Sequence, residues 1–133
     1  MRYANLTEHP IRVLSNDGEI EEFAPHGVVA RLLYEDAGYP HKIDDRFVFV
    51  RKWFTTLDPT TVKLLRSLSH DDEPTVVIVS GATGRHIENN KLVWRNVVVV
   101  SPDTDTGFFD ISGRYAVRRL TIHSDGRDID DLG

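Results

Sequence analysis

Three stretches of this chain combine side chains and glycines in patterns suited to holding a ligand. The first is Val79-Ser80-Gly81-Ala82-Thr83-Gly84-Arg85, which follows an unbroken apolar run. A strand that ends in a glycine turn before a helix leaves backbone N–H groups facing outward, where they receive phosphate or carboxylate. Ser80 and Thr83 add hydroxyls, Gly81 and Gly84 let the backbone approach closely, and Arg85 adds charge. Loss of Arg85 would weaken anion binding by about 1–3 kcal/mol, the scale of a charged hydrogen bond. The stretch superficially resembles the start of a nicotinamide-binding domain. Ile87 nevertheless occupies the third glycine position, and only about 50 residues follow. A small-anion loop is the chemical reading, and a plain glycine turn is the bland one.

The second stretch is Asn5-Leu6-Thr7-Glu8-His9-Pro10. Asn5 and Thr7 can fold back on the backbone in Asx- and ST-type turns. His9, before a proline, is held extended. Such a rigid segment could close an anion loop from the other side, with Asn5, Thr7 and His9 as contacts. It would equally serve as a structured entry into the domain. The third stretch is Pro102-Asp103-Thr104-Asp105, with Asp110 beyond it. Its D-x-D spacing hints at a cation, but the full calcium-loop pattern is missing, so a capped turn is expected. Asp103 would take a ligand hydroxyl.

Metal and nucleophile signatures are not present. The six histidines (9, 26, 41, 70, 86 and 123) form no i, i+4 pair, and the chain has no cysteine. His70-Asp71 sits in a polar connection without the further ligands a metal-dependent phosphohydrolase needs. Neither a Gly-x-Ser-x-Gly elbow nor a phosphate-binding P-loop motif occurs. No metal, no cofactor and no catalytic residue is therefore assigned. The enzymatic alternative is a small phosphodiester hydrolase with His9 or His86 as general base.

These segments need elements to position them. Residues 75–80 and 97–100 are apolar without alternation, as in strands buried on both faces. With the glycine segment and a short helix or turn over residues 85–92 between them, they suggest a parallel pair. Asn16-Asp17-Gly18 is a hairpin turn between strands at 11–14 and 19–23. Residues 28–33 read as a third strand, 34–45 as a loop, and 46–51 as a strand extended by Trp53 and Phe54. Asp58-Pro59 starts a helix that carries Val62, Leu64, Leu65 and Leu68 to about Ser69. A turn at Ser112-Gly113 returns the chain along one strand over 115–122. The expected fold is mixed α/β: one domain over residues 1–123, a mixed sheet with hairpins at both ends, and one or two helices. Residues 124–133 read as an acidic, disordered tail.

The 133 residues suit one domain, with 40% apolar and 28% charged residues leaving material for a core. Net charge is −5, much of it in the tail; the rest holds 17 acidic and 15 basic residues. That balance argues against a general grip on nucleic acid. The clusters Arg46, Arg51, Lys52 and Arg114, Arg118, Arg119 read as solvated faces. No 18-residue apolar run or secretory leader is visible, so a cytoplasmic protein without membrane contact is expected.

Asn5-Leu6-Thr7-x-His9-x-Ile11 resembles the opening of small phage and mobile-element proteins that carry no assigned activity. In these a Pro-x-Gly-x-x-Ala-Arg segment follows a hairpin; here it reads Pro25-His26-Gly27-Val28-Val29-Ala30-Arg31. Ile78-Val79-Ser80, the segment from Val97 to Asp103, and Gly113-Arg114 match later positions in order. The resemblance implies a viral or prophage accessory role. Together these readings point to a non-enzymatic protein that binds a small anionic, nucleotide-like ligand or a protein partner. Its contacts would be Asn5, Thr7, His9, Ser80, Gly81, Thr83, Gly84, Arg85 and Asp103. A third reading is a virion or assembly protein that forms a homo-oligomer through exposed strand edges.

Overall fold

The computed structural model describes residues 1–36 and 40–126. The valine-rich runs form its centre. Strands β6 (Thr75–Ile78) and β7 (Val97–Pro102) pair in parallel, with Val76 opposite Val98 and Ile78 opposite Val100. β1 (Arg2–Asn5) adds in parallel beside β6, and β10 (Leu120–Ser124) adds antiparallel beside β7. The order of this first sheet is β1-β6-β7-β10.

Side chains alternate across it, so consecutive valines serve opposite faces. On one face, Val77, Val79, Val97 and Val99 pack with Leu65 and Ile87, which come from helices α1 (Pro59–Ser69) and α2 (Gly81–Asn89). On the other, Val76, Ile78 and Val100 meet Ile11 and Phe23 of a second sheet. That sheet runs β3-β2-β9-β8, from strands Ile20–Phe23, Ile11–Leu14, Tyr115–Val117 and Gly107–Phe109 respectively. Each fully buried Leu or Ile contributes about 1.5–3 kcal/mol of transfer free energy, and Leu65, Ile78 and Ile87 are all fully enclosed. The fold is thus mixed α+β, as the sequence led us to expect. Among the described residues no helix is long and apolar enough to cross a membrane.

Helix α1 starts as its sequence dictates. The Asp58 carboxylate accepts from the Thr60 N–H at 2.9 Å, and Pro59 occupies the first turn. We expect Asp58→Ala to lower stability by about 1 kcal/mol, the usual cost of losing an N-cap, measured by urea denaturation. The Asp17-Gly18 hairpin also forms: Gly18 takes φ +89°, a left-handed value that glycine adopts without steric cost.

Several expectations are corrected. β1 was not expected, because its four residues show no long apolar pattern; pairing with β6 makes it a strand. Residues 28–31 are not a strand. The strand begins later, as β4 (Leu32–Asp36), and takes Tyr34 out of the expected loop. β4 pairs with β5 (Lys52–Leu57) in a two-stranded ribbon. Residues 46–51 form no strand; Phe47 and Val48 are more than half exposed, and no sheet covers them. The anticipated single strand over 115–122 is split. β9 ends at Val117 in the second sheet, and β10 starts at Leu120 in the first. α2 begins at Gly81, so the expected glycine turn is the first turn of a helix. β10 runs through Ser124, and the Gly126 carbonyl accepts from the Asn96 N–H at 3.1 Å. Residues 127–133 of the acidic tail lie outside the described residues, as do 37–39.

An ion pair ties the second sheet together. Arg12 donates to Asp110 at 2.5 Å, with both side chains largely covered. The Ser112 hydroxyl, then the Arg114 N–H, then the Arg12 guanidinium hold the Asp110 carboxyl well below the ordinary 3.8. A carboxyl depressed on folding stabilises the fold above its unfolded value, and that stabilisation is lost as pH falls below it. The unfolding midpoint should therefore fall more steeply for the wild type than for Asp110→Asn as pH drops from about 4 to 2. Parallel curves would mean that this carboxyl does not couple folding to protons.

Candidate ligand site

A concavity forms where β1 and β6 end. β6 delivers Val79, whose N–H donates to the Val100 carbonyl at 2.8 Å, and the chain then turns at Ser80. Ser80 is extended and caps α2: its hydroxyl accepts from the Thr83 N–H at 3.3 Å and donates to the Thr83 hydroxyl at 3.0 Å. The N–H groups of Gly81 and Ala82 have no acceptor among the described residues. Helix geometry leaves such donors unsatisfied, and their dipoles favour an anion.

The opposite wall comes from residues 6–9. Asn5 organises it. Its amide donates to the carbonyls of His9 at 2.8 Å and Phe23 at 2.9 Å. Its Oδ1 accepts from the Thr7 N–H at 3.0 Å and lies 2.6 Å from the Thr7 hydroxyl. Both amide hydrogens and both oxygen lone pairs are thus engaged, and Asn5 keeps no capacity for a ligand. Asn5 shapes the loop, while Thr7 and His9 line the cavity. The His9 imidazole makes no hydrogen bond among the described residues; only its carbonyl is bonded.

Residues 29–34 form the third wall, with Ala30 and Leu6 at the base. The Ala30 N–H donates to the Leu6 carbonyl at 2.9 Å. Arg31 is anchored through its backbone, donating to the Thr61 hydroxyl at 3.1 Å and accepting from the Asp58 N–H at 2.9 Å. Its guanidinium stands at the rim, 3.0 Å from Glu8, and both side chains are more than half exposed. An exposed pair of this kind adds little stability and can re-form around another anion. The cavity holds about 620 Å³, within the range of small-molecule pockets.

Of the expected contacts, Thr7, His9, Ser80 and Thr83 line this one cavity. Gly81, Gly84, Arg85 and Asp103 do not. Arg85 is exposed, its guanidinium folded toward Gly81. Gly84 is buried and faces His123. Neither Gly81 nor Gly84 has positive φ, so backbone freedom is not their purpose. The Asp103 carboxylate accepts from Arg119 at 2.7 Å and from the Asp105 N–H at 3.2 Å, capping a 3-10 turn over Thr104–Thr106. Arg31 and the wall of residues 29–34 were missed. Their only signal was the segment ending in Ala30-Arg31, which sequence order places far from Ser80.

A Ser-His-acid array was also missed. The Ser101 hydroxyl lies 2.7 Å from His123 Nε2, and Glu88 lies 3.2 Å from His123 Nδ1. In a hydrolase the serine faces substrate and the acid is buried. Here Ser101 is 4% exposed while the Glu88 side chain is 54% exposed. The array is inverted for catalysis, and it pins α2 to β10. His86, the other proposed base, lies beside Asn90 near the end of α2 and does not line the cavity. Among the described residues no three His, Asp or Glu side chains gather as a metal site. Asp71, beside His70, is paired with Arg2 at 2.6 Å. The chain matches no known protein family, no curated protein and no solved structure.

Proposed function

We propose that this protein is a non-enzymatic binding protein for a small anionic, nucleotide-like ligand, held between the start of α2 and residues 6–9. One observation carries the reading: the free N–H end of α2, the His9 segment and Arg31 meet around a single cavity. The helix end supplies directed donors, Arg31 supplies charge, and Leu6, Val29 and Leu32 supply an apolar wall for a ring. The phage-type accessory role implied by the sequence resemblance is compatible with such a small binding module and is part of this proposal.

The test is an NMR titration of the whole chain with inorganic phosphate and with a nucleoside monophosphate. Saturable shifts should centre on the amides of Gly81, Ala82 and Thr83 and on His9, with the nucleotide binding more tightly than phosphate. Absence of saturable shifts with both probes, or shifts centred elsewhere, removes the reading. His9 on the cavity wall also supports the hydrolase alternative. That alternative requires turnover of a phosphodiester that His9→Ala abolishes, whereas binding alone gives none.

A further inference from the structure

We infer that the groove between α1 and residues 92–94 is the docking site of this chain's own residues 128–132. The groove holds about 300 Å³ and is lined by Leu57, Val62, Arg66, Leu92, Val93 and Trp94. It shares no lining residue with the ligand cavity. Leu57 is buried, and Val62, Leu92 and Trp94 pack against the core. Val93 is 42% exposed. The lining is thus mostly apolar, suited to an aliphatic side chain, with the exposed Arg66 beside it.

The charge around this groove is of one sign. It is built from β5, α1 and residues 91–96. These segments hold Lys52, Lys63, Arg66, Lys91 and Arg95, and none of the 21 acidic residues of the chain. Lys63, Arg66, Lys91 and Arg95 are exposed, and their side chains make no hydrogen bond or ion pair with any described residue. Elsewhere the arginines are satisfied: Arg2, Arg12, Arg31, Arg114 and Arg119 each hold a carboxylate. In the loop that Asn96 bonds to, Asp71 and Glu73 are taken by Arg2. A like-charged rim attracts an anionic partner and repels a cationic one.

The complementary sequence lies next along the chain. The Gly126 carbonyl accepts from the Asn96 N–H at 3.1 Å, one residue from Arg95 and two from Trp94. After Arg127 the sequence reads Asp128-Ile129-Asp130-Asp131-Leu132, three carboxylates around two aliphatic side chains. An extended chain advances about 3.3–3.6 Å per residue, so Ile129 reaches about 10 Å from Gly126 and Leu132 about 20 Å. By the same measure Trp94 is at most about 7 Å from Asn96. The aliphatic side chains therefore reach the groove, and the carboxylates reach its cations. A tethered segment needs only weak contacts, because its effective concentration is high. A single-stranded nucleic acid fits less well: it needs successive stacking faces, and Trp94 is the one aromatic residue that lines the groove among the described residues.

NMR spectra of the full chain test this. Ile129→Ser/Leu132→Ser should shift the amides of Val62, Arg66 and Val93 and the Trp94 indole N–H. Shifts confined to the altered segment and to Asn96 and Val97 beside Gly126 overturn the proposal. Asp130→Lys/Asp131→Lys and Lys63→Asp/Arg66→Asp should each lower the docked fraction by about threefold or more, since each reverses the sign on one side of the contact. Combining the two reversals should restore it. Groove resonances that stay at their wild-type positions in either reversal, or a combination that restores nothing, overturn the ionic match. The groove resonances must also be independent of protein concentration; a shift on dilution assigns the groove to a second copy and overturns docking within the chain. Oligothymidylate is the competing probe. If it binds the wild type and Asp130→Lys/Asp131→Lys equally tightly at this groove, no docked segment competes for it, and the proposal falls.

Discussion

Gly84→Ala is expected to destabilise the fold by about 2–4 kcal/mol, against the ordinary trend for a helix. Within a helix, alanine is favoured over glycine by about 1 kcal/mol. Here the added methyl would overlap the Cδ2 and Nε2 atoms of the His123 ring, which is almost fully buried. Overpacking a core costs about 1–3 kcal/mol. Displacing the ring also strips the Ser101 hydroxyl, itself buried, of its partner, adding about 1–3 kcal/mol. The two penalties exceed the propensity gain. Urea denaturation measures the difference, and the double variant Gly84→Ala/His123→Ala separates the causes. With the ring gone the clash is gone, so the glycine substitution should then cost nothing or stabilise. If Gly84→Ala is neutral in the wild-type background, the His123 contact does not constrain α2.

Ala82→Glu is expected to abolish anion binding while leaving the fold as stable or slightly more so. Ala82 lies in the first turn of α2 and lines the cavity. A carboxylate in that turn is favourable to the helix dipole by about 0.3–1 kcal/mol. The same charge opposes a bound anion; at about 4 Å, with an effective dielectric near 20, the repulsion is roughly 4 kcal/mol. Affinity for phosphate and for a nucleoside monophosphate should fall by about 100-fold or more. The NMR titration reads the affinity, and a thermal melt reads the stability. The opposite signs of the two effects separate a binding site from a folding defect. Unchanged affinity would place any anion site elsewhere on the molecule.

The local elements were written in short-range chemistry. Asp58-Pro59 starts a helix because a carboxylate and a fixed φ act within three residues. The valines of β6 and β7 announce strands covered on both faces, because only such strands remain apolar at every position. The Ser80 segment was legible as a strand-to-helix passage for the same reason. Its glycines were not. Gly84 is small to admit His123, a residue 39 positions away whose approach no local pattern encodes.

Tertiary structure decided the rest. Whether residues 46–51 and 52–57 become strand depended on which of them met β4, and apolar content alone did not distinguish them. The division of 115–124 between two sheets follows from what lies beside each half: β2 and β8 for β9, and β7 for β10. In sequence, Asn5 reads both as an Asx-turn residue and as a ligand contact. Folding used its bonding capacity completely, on His9, Phe23 and Thr7. Arg31 reached the cavity because its backbone is bound to Thr61 and Asp58 at the start of α1. Sequence thus determined which segments bend, cap or bury themselves, since those choices are made among near neighbours. Which distant segments share a cavity was set by packing two helices on one face of the first sheet and a second sheet on the other.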